Sequence, residues 1–278
     1  MMVRWATMRI GGREFRPFLL GTSHTAAGLL ARCPLDGALF VDIFAEASQP
    51  FYRLVNAGNA RSFGGLGMPA WVQLDCCTVP TAMIGFAVAR DEVDAPLWSD
   101  LRARVAASFG ERAASALDGY RGPVPVSEYT ALPSVEEGTV VGFSLFSLVP
   151  GAGLGVPTKA LALACLGARR QVGMTQFANP AVRTHVAFGA LELLEPRALP
   201  HSAPDDTFVY RVELDGERLR ALVRGEAAPL ATPDGAIEVA VDGETASRLA
   251  ELRSRRGRLS IVSPGLRADG DRQRLVVC

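Results

Sequence analysis

The residues best suited to chemistry lie together, between positions 139 and 189. An apolar run, TVVGFSLFSLV, leads into the loop PGAGLGVPT, and the helix-forming segment KALALACL follows. A glycine-rich turn between a buried strand and a helix N-terminus can hold an anionic, often phosphorylated, ligand, because backbone N–H groups and the helix dipole favour negative charge there. Gly153 and Gly155 would let such a ligand approach the backbone closely.

The loop ends at two residues that suit the start of a helix. Thr158 has the side chain of a good N-cap, and Lys159 would begin the helix. Lys159 is also the only lysine in a chain with 29 Lys and Arg residues. It could therefore serve a purpose that arginine cannot, either as a compact point charge or as a neutral amine.

Predicted strands and a helix surround this loop. The segment QVGMTQF (171–177) is predicted to be a strand, and NPAVRTHVAFG (179–189) a short helix. Upstream, the alternation in AWVQLDC (70–76) and the apolar run TAMIGFAVAR (81–90) predict two more strands. Residues 121–138 contain three prolines and are predicted to be a loop with short extended pieces.

Together these segments predict an α/β (α+β) fold with a mixed central sheet. We expect three regions: a helical N-terminal region at 1–69, a core at 70–214 with an insertion at about 91–138, and a small C-terminal α/β appendage at 215–278. A chain of 278 residues is long enough for one large domain or two small ones.

The order of the core segments resembles the GNAT acyltransferase superfamily. TAMIGFAVAR is similar to the third strand of that family, TVVGFSLFSLV to the fourth and TFVYRVEL (207–214) to the last. Gly153 and Gly155 stand where the family's Q/R-x-x-G-x-G/A loop has its two small residues.

A second motif supports this resemblance. Asn179, then Ala181, His185 and Gly189, resemble the family's N-x-x-A-x-x-x-Y-x-x-x-G segment. His185 takes the place of the tyrosine that often protonates the leaving thiolate. Pro150 takes the place of the loop's Gln or Arg, and Lys159 could supply the missing charge.

The resemblance implies an N-acyltransferase that uses acetyl-coenzyme A or another acyl-coenzyme A, with the loop on the pyrophosphate. The acceptor would be the amine of a small molecule or of a protein. The implied cofactor-binding residues are Leu148, Val149, Gly151, Gly153, Gly155, Thr158, Lys159 and Asn179.

Acyl transfer to an amine needs a base, an acid and a polarised carbonyl. His185 can titrate near neutrality, which suits an acid. Glu128 and Glu137 come just before the central strand and could take a proton from the substrate amine. Tyr210 is a further candidate donor. We predict no metal site.

Other functions stay open at this point. Lys159 as a neutral amine could form a Schiff base with a carbonyl substrate, and GVPTK resembles the lysine segment of acetoacetate decarboxylase-like lyases. Cys76 or Cys77 could act as a nucleophile with His185 or His201. The chain could also bind coenzyme A as a sensor, without catalysis.

The composition argues against several classes of protein. The formal net charge is zero, whereas nucleic-acid binders usually carry a basic excess. No stretch approaches the roughly 18 apolar residues that span a bilayer, and the start has no apolar signal-peptide core. The five cysteines have no metal-like spacing. We expect a reduced cytoplasmic protein that acts on a small molecule; a homodimer is compatible with the sequence.

Overall fold

The computed structural model describes residues 8–10, 12–78, 81–195, 206–269 and 272–278. Within these ranges the chain forms a mixed α/β structure with twelve strands and nine α-helices, which confirms the predicted fold class. The chain divides into two compact units. The first comprises Met1–Pro133 and Phe143–Gly167, and the second comprises Ser134–Gly142 and Ala168–Cys278. The boundaries of these two units differ from the boundaries of the three predicted regions.

The first unit contains six strands, the last of which it shares with the second unit, and six helices among the described residues. They are β1 (Met8–Ile10), β2 (Arg13–Gly21), α1 (Ser23–Arg32), β3 (Leu39–Asp42), α2 (Gln49–Phe63), α3 (Ala70–Thr78), β4 (Met83–Val88), α4 (Ala95–Phe109), α5 (Glu111–Ser115), β5 (Val124–Pro133), β6 (Thr139–Ser147) and α6 (Gly155–Leu166).

Strand β4 is the centre of the first unit. All six of its residues, MIGFAV, are buried, and it pairs antiparallel with β2 on one side and β5 on the other. Gly85 allows the backbone of β5 to come close, because a Cβ at this position would lie 1.9 Å from the carbonyl oxygen of Ser127. Only glycine fits at such a contact.

The N-terminal region, residues 1–69, is predicted to be helical, but in the structure it also contains strands. Besides α1 and α2 it supplies β2, which pairs antiparallel with β1 and with β4, and β3, which runs parallel to β2. The strand β2 is buried along most of its length, so this region contributes to the main sheet of the first unit.

Strand β5 occupies the segment that its prolines had predicted to be a loop. It is continuous from Val124 to Pro133, and its register with β4 shifts between Phe86 and Ala87. Pro125 stands at this irregularity, where a missing backbone N–H is tolerated. In the sheet, β5 lies between β4 and β6. The segments compared with the third and fourth acyltransferase strands are therefore not neighbours.

The segment AWVQLDC, predicted as a strand, is the helix α3. It buries Gln73, Cys76 and Cys77, which are spaced by three and four residues as on one helix face. Trp71, on the same predicted strand face as Gln73, is instead 67% exposed. Alternation over seven residues does not distinguish a strand from a short helix.

Helix α6 is the most apolar helix of the first unit. It packs against β4, β5 and α1, and eight of its twelve residues are buried. An all-round apolar segment such as KALALACL is expected to be buried on all sides. The helix ends at Gly167, whose φ of 65° is the left-handed conformation that favours glycine at this position.

In the second unit, the initial part of β6 pairs in parallel with β7. Antiparallel pairing then links β7 to β9, β9 to β8, β8 to β11, β11 to β12 and β12 to β10. The described elements are β7 (Arg170–Gln176), α7 (Ala181–Val186), β8 (Leu191–Glu195), β9 (Thr207–Glu213), α8 (Gly216–Arg224), β10 (Ile237–Ala240), α9 (Thr245–Arg256), β11 (Ser260–Asp269) and β12 (Arg272–Val277). The predicted strands and helix at 171–177, 179–189 and 207–214 are confirmed.

Candidate functional site

Lys159 lies in the interior of the first unit. Its side chain is completely buried on α6, with 0% exposure. Burial lowers the pKa of the Lys159 ammonium well below its usual value of 10.5, because removal from water penalises the charged form. The shift increases the fraction of neutral amine, which is the nucleophilic form of lysine.

Glu128 is a second buried ionisable group of the same unit. Its carboxylate accepts hydrogen bonds from the Thr130 hydroxyl and, at 3.0 Å, from the Ser144 hydroxyl. Burial nevertheless raises the pKa of Glu128 to about 8, and the two hydrogen bonds only reduce this rise. The protonated form therefore dominates at neutral pH, and Glu128 can donate a proton there.

A hydroxyl pair links the elements that carry these two groups. The Oγ of Ser127 on β5 lies 2.7 Å from the Oγ1 of Thr158 on α6, and both are buried. Each hydroxyl belongs to the residue that directly precedes one of the ionisable groups. Because side chains alternate along a strand, Glu128 projects from the face of β5 opposite to Ser127, where Thr130 bonds it.

The buried faces of α2 and α3 contribute further polar atoms. Asn56 Nδ2 donates to Gln73 Oε1 at 2.9 Å, and Asn59 Oδ1 accepts from the backbone N–H of Met68 at 2.8 Å. Asn59 Nδ2 and Gln73 Nε2 have no hydrogen-bond partner among the described residues. Buried donors of this kind are rare and suit a water or a polar atom of a bound molecule.

The cysteines of α3 are poor nucleophiles. Burial raises the pKa of Cys77 to about 12 and also raises that of Cys76, so both are thiols at neutral pH, whereas thiolate is the reactive form. The negative charge of Glu128 contributes to both shifts. His201, one of their proposed partners, lies outside the described residues.

The glycine loop is explained first by its backbone. Gly151 and Gly153 have φ of 75° and 66°, a conformation that other residues rarely adopt. No atom lies within 4 Å of a Cβ built on either, so neither glycine is needed for a close approach within the protein. Gly155 starts α6, and Leu148 before the loop and Leu154 within it are buried.

The predicted start of the helix after this loop is wrong. Helix α6 begins at Gly155 with Leu154 as its N-cap. Thr158 therefore lies inside the first turn, where its backbone N–H donates to the carbonyl oxygen of Leu154 at 3.0 Å. Pro157 does not delay the helix, because proline is accepted in a first turn. Lys159 is consequently one turn into the helix and is buried, away from the exposed loop.

His185 and Tyr210 are brought together in the second unit. Their ring centroids are 5.2 Å apart, and Gln171 Nε2 donates to the Tyr210 hydroxyl at 3.3 Å. Burial raises the pKa of Tyr210 above its usual range. Gly173 leaves room for the Tyr210 side chain, since a Cβ at position 173 would lie 2.4 Å from the Tyr210 hydroxyl.

The other two predicted site residues of the second unit have local partners. Asn179 Oδ1 accepts from the backbone N–H of Ala181 at 2.8 Å, so its side chain forms a local turn just before α7. Glu137 is 95% exposed and forms an ion pair with Arg169 at 3.2 Å. Neither contact excludes a ligand, but each accounts for the residue without one.

Sequence reasoning missed most of the polar residues buried in the first unit. Glu128 lies in a segment that is predicted to be a loop, whereas the structure buries it on β5. The available signal was a polar residue at every second position of an apolar segment, as in Glu128 and Thr130, which indicates a buried polar strand face.

Comparison with known proteins gives no assignment. No protein-family model matches the chain, and no curated protein matches it. Among the described residues there is no group of three or more His, Cys, Asp or Glu that could hold a metal ion. None of the described helices is both long and apolar enough to cross a membrane.

Proposed function

We propose that the protein is a Schiff-base lyase in which Lys159 attacks the carbonyl group of a small keto acid. The observation that carries the proposal is the complete burial of Lys159, with the resulting fall in its pKa. Neutral amines in apolar surroundings are the form of lysine that adds to carbonyl carbons. The segment GVPTK, similar to that of acetoacetate decarboxylase-like lyases, agrees with this chemistry.

The reaction follows from the chemistry of the amine. Lys159 Nζ adds to the substrate carbonyl, water leaves, and a protonated imine forms. In a β-keto acid the bond between the neighbouring carbon and its carboxylate then breaks, carbon dioxide leaves, and the electron pair moves into the imine to give an enamine. A proton then adds to the enamine carbon, and water hydrolyses the imine to release a ketone and the free lysine.

Glu128 has no assigned role in this reaction, because its side chain projects from the face of β5 opposite to Ser127, whereas Ser127 faces Thr158 on α6. Trapping of the imine requires only the amine of Lys159.

The test is reductive trapping. Acetoacetate plus borohydride should add one substrate residue to the native protein, and peptide mapping should find it on Lys159. Since this is the only lysine, the assignment to a side-chain amine has no competitor. The Lys159→Arg variant should not trap, while Glu128→Gln should still trap. Native protein that stays unmodified with acetoacetate, pyruvate and longer keto acids would refute the proposal.

An acyl-coenzyme A-dependent N-acyltransferase is the second candidate. The observation that favours it is the parallel pairing of β6 with β7, with the glycine loop and α6 in the connection, since such crossovers present a loop and a helix N-terminus to anionic ligands. The burial of Lys159 argues against its use as a phosphate ligand. The roles of Asn179 and His185 remain predictions.

Calorimetry separates this candidate from the first. An acyltransferase should release heat on titration with acetyl-coenzyme A and should liberate thiol when an amine acceptor is added. A coenzyme A sensor should bind in the same way without liberating thiol. Binding should be unchanged in Lys159→Arg if the loop backbone holds the phosphates. No heat at millimolar ligand would remove both possibilities.

A further inference from the structure

Cys33 and Cys165 are the two cysteines that the first unit brings together. Cys33 caps the C-terminus of α1, and Cys165 lies near the end of α6, against which α1 packs. Arg32 Nε, one residue before Cys33, donates to the carbonyl oxygen of Cys165 at 2.7 Å. This contact holds the end of α1, with Cys33 as its next residue, against the end of α6 that carries Cys165.

The two thiols have different surroundings. Cys33 is half-buried and its Sγ donates to the carbonyl oxygen of Leu35 at 3.2 Å, whereas Cys165 is fully buried. The pKa of Cys33 is lowered to about 7, and the neighbouring Cys165 thiol is the largest cause of this shift. An accessible thiol with substantial thiolate at neutral pH reacts first with oxidants, and a buried neighbour can then resolve it.

We propose that Cys33 and Cys165 form a reversible disulfide that tethers α1 to α6. The oxidant is hydrogen peroxide. The Cys33 thiolate attacks a peroxide oxygen, the O–O bond breaks, and Cys33 becomes a sulfenic acid as one water forms. The Cys165 sulfur then displaces the sulfenic oxygen, which leaves as a second water with the Cys165 proton. Two thiols are oxidised to one disulfide, and one hydrogen peroxide is reduced to two waters.

The remaining described cysteines do not compete for this role. Cys76 and Cys77 are buried and have raised pKa values, which makes them slow to oxidise. Cys278 belongs to the second unit and provides a half-exposed thiol for comparison. All five cysteines are free in the structure, so the pair described is the reduced state.

The disulfide would restrict access to Lys159. Helix α1 covers part of α6, and a substrate can reach the completely buried amine only when the covering elements open. This consequence, unlike the disulfide itself, rests on the proposed Schiff-base function. Oxidised protein should be trapped by acetoacetate and borohydride more slowly than reduced protein, and dithiothreitol should restore the rate.

The disulfide is tested on the full-length native protein. After treatment with hydrogen peroxide and then unfolding in iodoacetamide, two of the five thiols should resist alkylation, and peptide mapping should join Cys33 to Cys165. Dithiothreitol should reverse the link. Cys278→Ser should behave as wild type, and Cys33→Ser should retain an alkylatable Cys165.

Two results would overturn the assignment. One is a Cys33 that advances to sulfinic acid while Cys165 remains alkylatable; the other is a Cys33 disulfide to any cysteine except Cys165. Failure of the keto-acid trapping in fully reduced protein would refute the lyase proposal and leave the disulfide mapping unaffected, so the two failures can be told apart.

Discussion

The Ser127 and Thr158 hydroxyls, 2.7 Å apart, join β5 to α6 at the residues just before Glu128 and Lys159. Both hydroxyls are completely buried. A buried hydrogen bond of this kind contributes about 0.5–1.5 kcal/mol, and loss of only one partner costs more because the other group is left unsatisfied. The pair thus fixes the backbone positions from which the Glu128 and Lys159 side chains extend.

Ser127→Ala should lower the free energy of unfolding by about 1–3 kcal/mol, because the Thr158 hydroxyl then lacks its partner. Thr158→Val should cost a similar amount. The double variant should be more stable than the sum of the two losses indicates, since it leaves neither hydroxyl unsatisfied. Urea unfolding of the four proteins completes the cycle, and strictly additive losses would show that the hydroxyls are not coupled.

Lys159→Met should stabilise the protein at neutral pH. The pKa of Lys159 is lowered in the folded state, so between that pKa and 10.5 the unfolded chain binds more protons than the folded one, and wild-type stability rises with pH. The advantage of the Met variant should therefore shrink as pH increases from 7 to 10. Urea unfolding at both pH values measures it, and an advantage that grows with pH would contradict the shift.

Glu128→Gln should remove a destabilising effect that increases with pH, whereas the effect of Lys159 decreases with pH. The folded pKa of about 8 lies above the usual 4.5, so the folded protein binds more protons between these values. Wild-type stability should therefore fall as pH rises through this window, by up to about 1.4 kcal/mol per pH unit from this group. The difference between variant and wild type, measured by urea unfolding from pH 5 to 8, isolates Glu128 from Lys159.

Gly173→Ala should destabilise the second unit. The new Cβ would lie 2.4 Å from the hydroxyl of Tyr210, a buried ring that packs against His185, and overpacking of this kind costs about 1–3 kcal/mol. Gly243→Ala is the matched control, because nothing lies within 4 Å of its Cβ. Thermal unfolding should show a lower midpoint for the first variant only; equal midpoints would mean that Tyr210 moves freely.

The parts predicted well from sequence were those with an unambiguous pattern. The strand at 139–149 and the helix after the loop are almost uniformly apolar, and a turn with glycine and proline separates them. The errors occurred where two physical effects compete. AWVQLDC alternates like a strand but buries residues at helical spacing, and the prolines near β5 mask a continuous strand because one of them stands at an irregularity.

The candidate site was predicted only in part. Lys159 could be singled out as the sole lysine, but its burial depends on α1, β4 and β5, which pack around α6 from distant parts of the sequence. The polar partners of Glu128 come from β5 and β6, so their convergence depends on strand pairing. The partners of the buried amides were likewise beyond sequence patterns, since Asn56 and Gln73 meet across two helices.

The burial of the sole lysine leaves the described surface without a side-chain amine. Apart from the α-amino group, an amine-directed dye or crosslinker can reach this chain only when the interior around α6 opens. The rate of acylation at Lys159, followed by mass spectrometry, would therefore count openings of one internal segment, much as amide exchange does for backbone groups. Lys159 is thus a single-site chemical probe for opening of the interior around α6.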